Sequence, residues 1–129
     1  MGRVEDMLAD KPFVAFIATK DETKARHFYG EVLGLHLVCD EPSAIVFDAR
    51  GTTVRIQKLD TFDPQTFTVL GWQVPDIDAA IEELAKRNVR FERYPGMDQD
   101  ERRVWRAPTG ARVAWFKDPD GNTLSLTQP

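Results

Sequence analysis

The chain has 129 residues, 42% of them hydrophobic and 29% charged, with a formal net charge of −4. That length suits one domain with a core of its own, and the composition is that of an ordinary globular protein. The acidic balance, without a basic stripe set among aromatics, argues against nucleic acid as a partner.

In chain order, residues 1–11 read as a weakly helical extension. The run PFVAFIAT (12–19) is apolar on both faces, the mark of a buried strand. Asp21 can cap a helix whose apolar stripe is Ala25, Phe28, Tyr29, Val32 and Leu33, with Gly34 as its left-handed stop. Strands are expected at about 35–39, 44–48 and 52–58, the last two joined by Ala49-Arg50-Gly51. After a loop at 61–65 the order repeats. TFTVLGWQV (66–74) is a strand, and Asp76 caps a helix with the stripe Ile77, Ala80, Ile81, Leu84 and Ala85. Asn88 stops that helix, since asparagine tolerates positive φ. VRFERYP is the next expected strand, 97–110 a polar excursion holding Trp105, and ARVAWFKD with NTLSLT a closing hairpin around Asp118-Pro119-Asp120-Gly121.

The sequence thus spells β-α-β-β-β twice, with the caps Asp21 and Asp76 at matching places. The turn glycines Gly51 and Gly121 superpose the last strands and set Arg55 against Ser125. The expected organisation is an extension (1–11) and one domain (12–129) of two modules, 12–60 and 66–128. The fold class is α+β, a cupped and mostly antiparallel sheet with helices on its outer face.

Cys39 is the only cysteine, which excludes an internal disulfide and a cysteine-based zinc cluster. No apolar run is long enough to span a membrane, and the start MGRVEDMLADK does not read as a signal peptide, so the expected setting is the cytoplasm with no membrane partner.

The segments DETKARHFYGEVLGL, VPDIDAAIEELAKRNV and FKDPDGNTLSL resemble the vicinal oxygen chelate superfamily, which includes glyoxalase I, extradiol dioxygenases, and the fosfomycin and bleomycin resistance proteins. The resemblance runs from about Pro12 to the end. It implies the cupped fold and a homodimer whose grooves use both subunits; it says less about activity. Enzymes of that superfamily hold a divalent metal from the first and last strand of each module. The matching positions here are Val14, Arg55, Val69 and Ser125, which offer no carboxylate, imidazole or thiolate. The expectation is no metal and no cofactor.

Other chemistry finds little support. His27 reads as a surface or helix-packing residue of the first helix. His36 and Cys39 stand at odd separation on one strand and should face opposite ways, which denies a nucleophilic pair. The run Asp98-Gln99-Asp100-Glu101 reads as a solvated loop. The residues that alternation sends into the cup are Phe16 and Gln73, with Val14 and Val69, then Arg55 with Gln57, and Ser125 with Thr123 and Thr127. Trp105 is a candidate ligand contact and equally a candidate interface anchor. Trp115 and Phe116 point opposite ways, and the hairpin register decides which enters; Trp115 is included among the ligand-binding candidates. Apolar walls, a few hydrogen-bonding groups and one guanidinium suit a small organic ligand. The reading is a metal-independent binding protein of the glyoxalase/bleomycin resistance type that sequesters or senses such a ligand. The alternatives are a lyase, isomerase or dioxygenase with a metal-free or atypical site, and an interaction module whose cup is filled by side chains.

Overall fold

Runs rich in Val, Ile, Phe and Thr supply eight strands among residues 4–129, the residues that the computed structural model describes. A helix α1 (Val4–Ala9) precedes β1 (Val14–Thr19) and α2 (Glu22–His27). Strands β2 (His36–Asp40), β3 (Ala44–Ala49) and β4 (Thr52–Lys58) complete the first module. Next come β5 (Thr68–Gln73), α3 (Ile77–Ala85), β6 (Trp105–Arg106), β7 (Arg112–Lys117) and β8 (Thr123–Gln128). The sheets have the orders β1-β4-β3-β2 and β5-β8-β7-β6. The edge pairs β1–β4 and β5–β8 are parallel and the other neighbours antiparallel. The α+β class and the twofold βαβββ order are those expected.

The helix signals work locally. Asp21 accepts from the Lys24 backbone N–H at 3.2 Å, and Asp76 from that of Ala79 at 3.1 Å. Gly34 at φ 79° and Asn88 at φ 66° turn the chain out of its helical path. Beyond His27 the first helix widens into a π turn over Phe28–Val32, with Leu33 N–H on the Phe28 carbonyl at 2.9 Å. The second apolar stripe ends at Leu84, because Ala85 is exposed.

One core serves both modules. Ile17, Ile45, Phe47, Val54 and Ile56 from the first sheet join Ala114, Phe116, Leu124 and Leu126 from the second, with Tyr29, Ile77 and Ile81 from the helices. Phe28 meets Phe116 across the modules at 6.4 Å between ring centroids. A polar joint accompanies these contacts. The Asp118 carboxylate accepts from Tyr29 OH (2.6 Å), Asn122 Nδ2 (2.8 Å) and the backbone N–H groups of Asp120 and Asn122. Asn122 Nδ2 also donates to the Ala18 carbonyl, and Asp120 accepts from Thr19 Oγ1 and the Lys20 N–H. The hairpin turn of the second module is therefore bolted to the end of β1. Burial, and then the neighbouring Asp118 charge, push the Tyr29 hydroxyl far above its ordinary pKa, so it stays a donor.

Three expectations change. The run 12–19 is not buried on both faces: Val14 is 47% and Phe16 56% exposed, because only the face carrying Ile17 packs on the core. VRFERYP forms no strand. Only Phe91 bridges to Phe116, and the Gln99 side chain takes up the backbone instead, accepting from Tyr94 N–H (2.7 Å) and donating to the carbonyls of Glu92 (2.9 Å) and Arg103 (2.7 Å). Gln99 is 8% exposed, so the acidic run is not simply solvated. The outer neighbour of β7 is instead β6, drawn from the polar excursion.

Candidate functional site

Each sheet keeps one face on the shared core and leaves the other open. On the first sheet the cross-strand partners Val14–Thr53, Phe16–Arg55 and Ala18–Gln57 share the open face, since their neighbours Ile17, Val54 and Ile56 are buried in the core. On the second sheet the row Gly71–Ser125–Trp115 faces away from the core, with Ser125 buried between an exposed Gly71 and a half-buried Trp115, while Leu124, Leu126, Ala114 and Phe116 pack inward. The register therefore puts Trp115 on the open face and Phe116 in the core. The seven candidates divide between two sheets: Phe16, Arg55 and Gln57 on one, Gln73, Trp105, Trp115 and Ser125 on the other.

Two bulges move residues that alternation placed elsewhere. The β5 register shifts between Thr68 and Leu70, so Thr68, not Val69, partners Thr123. Val69 packs against the core instead. A second shift between Leu37 and Cys39 sets His36 opposite Asp48 and Cys39 opposite Val46. Asp48 and Val46 lie two apart on β3, so His36 and Cys39 share a face, contrary to expectation. They form no pair: Cys39 Sγ lies 3.8 Å from a Glu41 oxygen.

The first open face mixes the apolar Val14 and Phe16 with Thr53, Gln57 and an Arg55 that is already paired. Arg55 donates to Glu41 at 2.9 Å, and that hydrogen bond, helped by the guanidinium charge, lowers the Glu41 pKa. The second face is aromatic. Trp115 meets Trp105 at 6.0 Å with planes 36° apart and Tyr94 edge-on at 5.7 Å, while its Nε1 donates to Thr68 Oγ1 at 3.0 Å. Half-buried indoles pinned in this way make a rigid amphipathic platform. Beside it run the β8 hydroxyls Thr123, Ser125 and Thr127. Two cavities of about 300 Å³ lie near the second sheet. One touches the second face through Gly71 and Gln73; another, on the helix side, is lined by Leu33, Trp72, Leu84 and Phe116.

Glu41, Thr68, Gly71, Tyr94 and Gln99 were missed by the sequence reading. Only Gly71 carried a signal, since a lone glycine inside a strand marks a close backbone approach. The rest depend on register or on long loops.

The divalent ion implied by the family resemblance does not fit these residues. Valine, arginine, threonine and serine stand where its donors are needed, and among the described residues no three His, Cys, Asp or Glu converge on a possible metal position.

Residues 11–126 match the profile of the Glyoxalase/Bleomycin resistance protein/Dioxygenase superfamily. A superfamily member from Sphaerobacter thermophilus DSM 20745 is 30% identical, with 92% of this chain and 97% of that one covered at a TM-score of 0.70. TnmS3, an antibiotic binding protein from Streptomyces sp. CB03234, is 27% identical, with 95% and 98% covered at a TM-score of 0.70. Lactoylglutathione lyase from Agrobacterium tumefaciens shares the fold at a TM-score of 0.71 and 15% identity, with 92% and 93% covered.

Proposed function

Because the chain belongs to the Glyoxalase/Bleomycin resistance protein/Dioxygenase superfamily, we propose that it binds a small, flat organic molecule and sequesters or senses it without a metal ion. The observation that carries this reading is the Trp115–Trp105–Tyr94 platform beside a row of hydroxyls, in a frame whose metal positions hold no donors. Stacking on a fixed indole gains contact area at little entropic cost. The likeness to an antibiotic binding protein over nearly the whole of both chains supports the same direction.

The reading includes a homodimer. Phe13, Val14, Phe16 and Phe67 are exposed along β1 and the lead-in to β5, and a second copy covering them would deepen the shallow open faces into a groove. The proposed setting is a reducing one, the cytoplasm, which suits the exposed free Cys39.

The test is a mass-spectrometric and NMR screen of the purified protein against flat aromatic compounds, antibiotics and cell extracts. Binding that weakens by about 2 kcal/mol in Trp115→Ala supports the reading. A screen that never yields a ligand sinks it. Elemental analysis separates the enzymatic alternative, because stoichiometric Zn, Fe, Mn or Ni would overturn metal independence.

A further inference from the structure

The face of the second sheet turned from the core carries Thr123, Ser125 and Thr127 at alternate positions of β8, the first two buried, so adjacent hydroxyls stand roughly 7 Å apart. Thr123 Oγ1 is buried without a hydrogen-bond partner. Ser125 is 8% exposed and its hydroxyl leans over Gly71: a β-carbon at position 71 would lie 2.5 Å from Ser125 Oγ. Only glycine leaves that place to the hydroxyl. The polar groups nearby are already engaged, Trp115 Nε1 on Thr68 and Arg55 on Glu41 of the other sheet.

Resting on the binding role proposed above, we infer that Ser125, held in place by Gly71, is the polar subsite of this face and selects an uncharged aromatic bearing a hydroxyl or carbonyl oxygen. The ring lies against Trp115, the cross-strand neighbour of Ser125, and its edge oxygen meets the serine hydroxyl. Charge decides the class. Among the strand positions of this face, Lys117 is the one basic group, exposed and opposite Thr123 rather than Ser125. A carboxylate pressed onto the indole beside Ser125 would lose water without gaining a cation, whereas a neutral oxygen needs a single hydrogen bond. Gly71 is thus a specificity-determining residue although it has no side chain.

Three probes separate the terms: naphthalene, 2-naphthol and 2-naphthoate, titrated at neutral pH. The indole N–H signals of the three tryptophans, read by NMR, report binding. The expected result is 2-naphthol binding about 3- to 10-fold tighter than naphthalene, with 2-naphthoate weaker than 2-naphthol. Ser125→Ala should abolish the preference of 2-naphthol over naphthalene. Gly71→Ala should do the same with the serine still present, by driving its hydroxyl away. Equal binding of naphthalene and 2-naphthol to the wild type, tightest binding of 2-naphthoate, or a preference that survives both substitutions would overturn the subsite while leaving the platform standing. If no probe moves the Trp115 signal, the binding role fails together with the subsite.

Discussion

At the scale of single residues, Arg55 shows how a partner changes the meaning of a charge. Strand alternation was enough to place its side chain on the open face. Glu41 lies in the β2–β3 turn, and nothing local announces that its carboxylate reaches the guanidinium. The pair makes Arg55 a poor free anchor for an anion and gives it a titrating partner. Glu41 is held below the usual carboxylate range in the folded state. Its contribution is therefore full above the unfolded pKa and is lost as pH falls through the lower, folded value. Melting temperatures of the wild type and Arg55→Ala, measured from neutral pH down to pH 3, should differ at the start and converge on acidification. A gap that stays constant to the acid end would mean that Arg55 acts by packing.

At the scale of elements, signals carried by neighbouring residues were legible. Asp21 and Asp76 act through carboxylates that reach backbone N–H groups three residues on, and Gly34 and Asn88 through their own backbone, so the helices start and stop where such residues direct. Bulges are a different matter, because an extra residue in β5 or β2 is defined only against the partner strand. Val69 and the His36–Cys39 relation were misplaced for that reason. The misread strand at 89–95 has another cause. Its alternation is genuine, but one side chain, Gln99, satisfies two carbonyls and an N–H that a ladder would otherwise serve. Gln99→Ala should accordingly destabilise the protein by about 2–3 kcal/mol, since it strands buried backbone groups. It should also loosen Trp105, whose backbone bridges to residue 99. Denaturant unfolding checks the first effect and the Trp105 indole N–H signal the second. An unchanged midpoint would show that water replaces the amide.

At the scale of the whole molecule, two joints matter. One lies within the chain, where Tyr29 and the end of β1 meet the Asp118–Asn122 turn. Tyr29→Phe removes a buried hydrogen bond to a carboxylate and should cost about 1.5–3 kcal/mol in a single cooperative transition. Two separated transitions, one per module, would contradict the shared core. The other joint is proposed between copies. Phe13, Phe16 and Phe67 are 79%, 56% and 63% exposed, an apolar load unusual for a lone chain. Sedimentation velocity should find a dimer that Phe13→Glu with Phe16→Glu converts to monomers. A monomeric wild type at tens of micromolar would remove the dimer from the proposal.

The bolt between β1 and the Asp118–Asn122 turn also bears on how the chain tolerates being cut. The segment 61–65 is its seam in sequence, and Pro64 from that seam rests against Gly121. Each half nevertheless lacks what the other supplies, the Asp118 acceptor for Tyr29 and the Ala18 carbonyl for Asn122. Fragments 1–62 and 63–129 should therefore fail alone and reassemble when co-expressed, which co-purification through a tag on one fragment would show. A fold that reads as a tandem copy would then behave as a split protein, its two pieces useful as a reporter of whatever brings them together.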